Sequence, residues 1–320
     1  MQAMVMGGLH PHSKNISSAL SREKRHVVEC GTRPNLKARP KLANKFKIGD
    51  LQVLVVSDGF ARAPSTMYFN GTTQEQWEPH KRWLDHEGNV EFPFSCFLVR
   101  SGGRTVLIDT GLGQINMMGF TGGSLLSELA SNGVKPEEID TVFITHLHVD
   151  HCGTVAHVEG ESARPAFPNA TYRWTADEQK HWTGGVLESA FMTPDQKTYL
   201  KGMFKAIDGR FKPATEGESI APGVSVISTP GHTPGHAGIV LSSGTERAFI
   251  LGDAISCPVQ LSETEWSGLG DMDPKLARQS QEVVAREAEA TGALLTAAHF
   301  PGLTFGRVLM GEGRRYWEPV

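Results

Sequence analysis

Residues 145–153 read THLHVDHCG, which puts three histidines and one aspartate within six positions, from His146 to His151. Side chains of an extended segment alternate with a period of two, so His146 and His148 point the same way and can hold one ion together. If the chain then turns, Asp150 and His151 can face a second ion beside the first. Imidazole nitrogen and carboxylate oxygen are ligands of zinc and similar metals. A solvated histidine-rich loop would account for one or two of these histidines. It accounts poorly for an acid among three of them directly after the apolar run TVFIT.

Three later residues occupy the same kind of place. His232 sits in a Gly-Pro turn, STPGHTPGH, after a predicted strand; Asp253 directly follows the apolar run FILG; His299 follows the last predicted strand, in LLTAAHFPG. Each is a metal-type residue at the end of a predicted buried strand. Strands packed in sheets can bring their ends to one rim, and loops at strand ends are where functional groups sit on a rigid scaffold.

The elements that must position these residues are legible from Ile48 onward. IGDLQVLVVSDG reads as a half-buried strand closed by a Ser-Asp-Gly turn. FPFSCFLVRSGGRTVLIDTGLG reads as a β-hairpin turning at Ser101-Gly102-Gly103, its second strand ending at Asp109. A short helix follows over Leu125, Leu126, Leu129 and Ala130, with Ser124 to cap it and Gly133 to stop it. Thr175-x-x-Glu178 is a capping-box pattern that predicts a helix from Ala176, and DQKTYLKGMFKAI reads as another. Strands return in GVSVIST, HAGIVLSS and RAFILGD. Asp273-Pro274 opens a long helix that ends near Gly292, and ALLTAAH is the last strand. Helices outside two sheets satisfy this order, in one domain with two similar halves.

Composition bounds the rest. The chain has 320 residues, a formal net charge of −4, 35 Gly and 18 Pro. The charge gives no electrostatic support for nucleic-acid binding, and the turn-forming residues favour short strands over a helical bundle. Cys30, Cys96, Cys152 and Cys257 are scattered, which fits reduced thiols and a cytoplasmic location better than a disulfide framework. No apolar run is long enough for a membrane span. Residues 1–45 show little periodicity and read as an N-terminal arm, partly disordered or wrapping a partner subunit; residues 46–320 read as a single catalytic domain.

The set His146-x-His148-x-Asp150-His151, His232, Asp253 and His299, with Asp109 closing VLID, resembles the metallo-β-lactamase superfamily over about residues 48–310. The resemblance implies an αββα sandwich, an α/β fold of two mixed sheets flanked by helices, with metals at the shared sheet edge. It implies two zinc ions. His146, His148 and His232 would hold one, Asp150, His151 and His299 the other, and Asp253 would bridge them. Asp109 would orient a ligand. His236 is not a ligand of the family and reads as packed or hydrogen-bonded; Cys152 reads as a structural thiol. Paired metals of this kind share a hydroxide that attacks a carbonyl or phosphoryl centre, so no serine or cysteine nucleophile is needed. Asp150 could pass a proton to the leaving group.

FPNATYRWTADEQKHW and the chain's end, AAHFPGLTFGRVLMGEGRRYWEPV, resemble the quorum-quenching N-acyl homoserine lactonases and the methyl-parathion-hydrolase-like group. The implied reaction is hydrolysis of a lactone, foremost an N-acyl homoserine lactone. Aryl phosphotriester or ester hydrolysis is the alternative, with thioester hydrolysis or iron-dependent persulfide oxidation behind it. The expected partners are a small-molecule substrate and a second copy of the chain, with no nucleic acid and no membrane. Many smaller homoserine lactonases carry a tyrosine three residues after the bridging aspartate, where this chain has Ser256. Tyr68, Phe69, Phe120, Trp182 and Tyr199 are the aromatic candidates for an apolar substrate cleft.

Overall fold

Leu51 to Val56 alternate between two cores. Val53 and Val55 meet Phe97, Val99, Val106, Ile108 and Phe143, together with Val224, Val226, Ile239, Leu241 and Ile250 from a second sheet. Leu54 and Val56 face outward and pack with Leu98, Leu107, Val142, Leu125, Leu129, Leu200 and Met203. A strand covered on both faces reads as a near-continuous apolar run, and this one does. The structure is a computed structural model and describes residues 44–320 except 70, 118 and 189–191. Of the expected N-terminal arm, all but residues 44 and 45 lie outside the described residues, as does Cys30.

The first sheet runs in the order Lys45–Ile48, Leu51–Pro64, Asn89–Ser101, Arg104–Ile108, Thr141–Phe143, Thr171–Arg173, with Phe120–Thr121 added to the second of these strands. The second runs Ser219–Ala221, Val224–Ser228, Ala237–Ser243, Glu246–Ile250, Leu294–Thr296, Gly306–Gly311, Arg314–Pro319. Each sheet combines antiparallel hairpins with parallel neighbours. Ile108 pairs with Phe143 in the first, and Ile250 with Thr296 in the second. Helices Leu125–Ser131 and Pro194–Ala206 cover the outer face of the first sheet. Helix Pro274–Thr291 covers that of the second, packing Val284, Ala285 and Ala288 on Phe249 and Leu295. The result is the αββα sandwich, and the carboxyl ends of its parallel strands open toward one rim, where sites of α/β sheets are built.

Local signals explain most element ends. Asp273 accepts from the Leu276 N–H at 3.0 Å and Pro274 takes the first helical position; Gly292, at φ +65°, ends that helix in the left-handed region. Two expectations need correction. Ser57-Asp58-Gly59 does not end its strand, which continues from Leu51 to Pro64 through a register shift between Ser57 and Phe60. Ser124 makes no side-chain cap to the helix at Leu125. One residue explains both. The buried Asp58 carboxylate accepts from the N–H groups of Gly113 (2.9 Å), Gly123 (3.0 Å) and Leu125 (2.8 Å). It therefore caps that helix from the bulge and ties down the loop that carries Phe120.

Among the described residues no helix is long and apolar enough to cross a membrane.

Candidate metal centre

The backbone at the rim does what the residue spacing requires. His148 is extended (φ −63°, ψ 146°), and a single helical turn, Val149–Cys152, follows at once. His146 and His148 thus precede the turn, while Asp150 and His151 lie on it. His232 lies in the connection between Val224–Ser228 and Ala237–Ser243, and Asp253 and His299 each come three residues beyond a strand end.

All seven side chains meet. His146 Nε2 lies 2.9 Å from His148 Nδ1, which lies 3.0 Å from His232 Nε2. Three imidazole nitrogens face one point, an arrangement that a cation satisfies better than shared protons do. Next to it, Asp253 Oδ1 is 3.3 Å from His151 Nε2, and Asp253 Oδ2 is 3.2 Å from His299 Nε2 and 3.4 Å from His232 Nε2. Asp150 Oδ2 is 3.6 Å from His299 Nε2 and 3.8 Å from His151 Nε2. The donor atoms group as His146/His148/His232, His146/His151/Asp253 and Asp150/His151/His299, each set within 4.8 Å. His151 Nε2 and Asp253 Oδ1 are buried without a hydrogen-bond partner. Leaving such an atom unmet costs about 1–3 kcal/mol, so two side by side mark a place where a ligand belongs. The residues fit a pair of metal ions.

Neighbouring groups fix four of the five imidazoles from behind. Asp109 Oδ2 holds His151 Nδ1 at 2.9 Å, Asp271 Oδ1 holds His232 Nδ1 at 2.9 Å, the Pro93 carbonyl holds His299 Nδ1 at 2.9 Å, and Thr145 Oγ1 holds His146 Nδ1 at 3.1 Å. Such partners set the tautomer and the ring direction of a ligand. Asp109 also accepts from the Thr145 N–H at 2.8 Å, and its φ of 57° places it in the left-handed region just after its strand. Asp271 was not legible: it follows no strand, and nothing in GLGDMDP sets it apart from Asp273 two residues on. His236 joins none of the three sets. Its Nδ1 meets Thr229 Oγ1 at 2.8 Å, and its Nε2 accepts from the Asp253 N–H at 3.0 Å, fixing that backbone. Cys152 is buried, and burial pushes its thiol up, away from the thiolate a ligand or nucleophile must be.

The aromatic candidates divide. Trp182 stands edge-on to His148, with ring centroids 5.6 Å apart. Tyr68 packs on Phe92 at 4.3 Å, and Phe92 lies 5.8 Å from His299. Phe120 lies 5.7 Å from Phe94, itself 5.9 Å from His299. Phe69 and Tyr199 lie deeper in the packing. Phe69 is fully buried against Trp77 and Trp266. The Tyr199 hydroxyl donates to the Cys152 carbonyl at 2.6 Å, and its ring borders a separate cavity of about 400 Å³ that none of the seven lines.

Without metal these histidines titrate in opposite directions. Burial, then neighbouring histidines, hold His146 and His236 well below the ordinary value, and burial with His232 takes His148 to about 3. Burial also opposes charge on His151 and His299. There it is outweighed, at His151 by Asp253, Asp109 and Asp150 and at His299 chiefly by Asp253, so both are raised. Below roughly pH 6.5, the unfolded value, the unfolded chain takes up protons that His146, His148 and His236 refuse, so stability falls with falling pH. The contribution of His151 and His299 is complete below that pH and is lost as pH rises through their folded values. Urea unfolding of chelated protein from pH 5 to 9 should therefore show a maximum near pH 6.5. A steady rise across the range would contradict this.

Residues 91–299, more than half of the chain, match the family described as the metallo-beta-lactamase superfamily. The N-acyl homoserine lactonase AiiB of Agrobacterium fabrum is 26% identical over 228 residues, spanning 66% of this chain and 76% of its own. The lactonase AiiA of Bacillus thuringiensis subsp. kurstaki is 25% identical over 219 residues, spanning 62% and 79%. Among solved structures, the hydrolase AbOPH of the beta-lactamase superfamily shares 30% identity and a TM-score of 0.74 over 86% of this chain and 96% of its own. AidC, a dizinc quorum-quenching lactonase, shares the fold at a TM-score of 0.76 and 22% identity over the same shares. The chain therefore belongs to the metallo-beta-lactamase superfamily and is a metal-dependent hydrolase.

Proposed function

We propose that this hydrolase uses two metal ions to open lactone rings, with N-acyl homoserine lactones as its substrates. One observation carries the reading: a single carboxylate, Asp253, stands between two sets of converging donors. His146, His148 and His232 would hold one ion, Asp150, His151 and His299 the other, and Asp253 both. Zinc suits this nitrogen and carboxylate set. A metal pair supplies a hydroxide nucleophile near neutral pH by lowering the pKa of water to about 7, and it polarises the substrate carbonyl.

The chain's own groups complete the chemistry. The Asp150 side chain is 19% exposed and that of Asp253 5%. Asp150 is therefore the carboxylate facing the cleft, placed to take the proton given up by the attacking hydroxyl and return it to the alkoxide released when the ring opens. Ser256 leaves room for a phenol from another element, and the Tyr68 hydroxyl lies close enough to Ser256 to feel it. Burial, then the charge of Asp253, keep this phenol well above its ordinary value and hence protonated. It can donate toward a carbonyl oxygen. A Cβ on Gly268 would come 3.1 Å from the Tyr68 ring, so a larger residue there would press the ring a few tenths of an ångström aside. Met67, Leu269 and Met272, neighbours in sequence of Tyr68, Gly268 and Asp271, expose large apolar side chains. Such surface beside a polar centre suits an acyl chain, and relatives named N-acyl homoserine lactonase support the same substrate class.

Comparing kcat/KM across homoserine lactones of increasing acyl length, an aryl phosphotriester, an aryl ester and a thioester tests the proposal. Lactones should lead by at least tenfold, on the order of 1.4 kcal/mol. Their kcat/KM should rise with chain length, by up to about fourfold per methylene buried at roughly 0.8 kcal/mol each. A phosphotriester or thioester that outperforms every lactone would overturn it, as would iron at about one per chain.

A further inference from the structure

Glu178 has a second role besides the one its sequence position suggests. Its backbone N–H takes the Thr175 cap at 3.1 Å, but its side chain does not complete the capping box. The side chain instead turns into the protein and is fully buried. There it accepts four hydrogen bonds. Oε1 takes the Leu147 N–H at 2.8 Å and the Trp182 indole N–H at 2.6 Å. Oε2 takes the Thr233 hydroxyl at 2.7 Å and the Gly235 N–H at 3.2 Å.

The identity of those donors matters more than their number. Leu147 lies between His146 and His148. Thr233 directly follows His232, and Gly235 ends the same turn. Trp182 stands edge-on to His148. The two chain segments that supply the nitrogens of the His146/His148/His232 set are thus fastened to the two oxygens of one carboxylate. They are 84 residues apart in sequence between His148 and His232. The other set is positioned by different groups: Asp109 behind His151 and the Pro93 carbonyl behind His299.

We infer that Glu178 is a positioning residue that sets the spacing of the His146/His148/His232 set and so governs metal affinity at that set selectively. A carboxylate is required because all four partners are donors. The amide of glutamine would turn an NH2 toward Leu147 and Trp182 at one oxygen or toward Thr233 and Gly235 at the other; the hydroxyl can turn to accept, but the N–H groups cannot. A buried donor facing a donor pushes its segment away, and here that segment carries a metal ligand. Partners of this outer kind alter metal affinity by about 10–100-fold when replaced.

The inference rests on the two-ion reading, and the test separates the two. Chelated wild-type protein and Glu178→Gln are titrated with cobalt(II) and zinc, following the cobalt absorption band and bound metal per chain. Thermal unfolding of the metal-free forms is measured alongside. Wild type should bind two ions; fewer would defeat the two-ion reading itself. In Glu178→Gln one ion should weaken by at least about tenfold, while the other changes by less than about threefold. Two ions at wild-type affinity would overturn the role of Glu178. So would equal weakening of both ions in step with a lower unfolding temperature. Glu218→Gln, which loosens a partly buried ion pair to Arg173 (2.6 Å) away from the seven side chains, serves as the control. It should lower the unfolding temperature and leave both affinities alone. If Glu178→Gln does not fold, Trp182→Phe removes one donor and leaves an aromatic ring in its place, and the same selective weakening, smaller in size, is required of it.

Discussion

Asp253→Asn should reduce lactone turnover to background, a loss on the order of a thousandfold or more in kcat/KM. Replacing a group behind a ligand costs roughly 10–100-fold, and Asp253 is itself in reach of both donor sets, 3.3 Å from His151, 3.4 Å from His232 and 3.2 Å from His299. The amide is close to the same size but neutral. It offers one oxygen where two are needed and turns its NH2 toward either His151 or His299. Bound metal should drop below one ion per chain at micromolar supply. His148→Ala, which removes a donor from one set only, should retain about one ion and lose activity. Elemental analysis beside kcat/KM distinguishes these patterns. Full turnover by either variant, or by a metal-stripped sample, would sink the assignment.

Asp109 should produce the second-largest effect, divided between stability and activity. Its carboxylate accepts from the Thr145 N–H, the Thr145 hydroxyl and His151 Nδ1, all buried. Asp109→Ala leaves those donors unmet, at about 1–3 kcal/mol for each one that finds no water. It also puts alanine at φ 57°, a region that aspartate and asparagine tolerate better. A loss of about 3–5 kcal/mol of unfolding free energy is expected, read by urea denaturation. Asp109→Asn keeps the backbone preference and one acceptor. It should fold, and should lose about 10–100-fold in kcat/KM as His151 loses its orienting charge. Wild-type kcat/KM in Asp109→Asn would show that the carboxylate serves packing alone.

The candidate centre was legible where chemistry and periodicity coincide. His146 to His151 directly follow the short buried strand Thr141–Phe143, and Asp253 and His299 lie just past strand ends, so the strand pattern located them. The supporting carboxylates were not legible in the same way. Asp58 reads as a turn residue and Glu178 as half of a capping box, because the local pattern is all that neighbours in sequence reveal. What decides their roles is a set of backbone N–H groups 31 to 67 residues away. The adjacent pair Tyr68 and Phe69 shows the same limit. Both are aromatic and both read as candidates for the cleft, yet their surroundings differ: Phe69 packs against Trp77 and Trp266, while Tyr68 lies beside Ser256.

The donors at the rim belong to both sheets: His146, His148, Asp150 and His151 follow a strand of the first, His232, Asp253 and His299 strands of the second. Ions held there would rivet the two halves together. Anything that binds only the folded chain adds RT ln(1 + [L]/Kd) to its stability, about 2.7 kcal/mol at a free concentration of 100 Kd. The cellular supply of metal then governs how long the protein lasts as well as how fast it works. Under scarcity the idle enzyme is also the one most open to unfolding and removal.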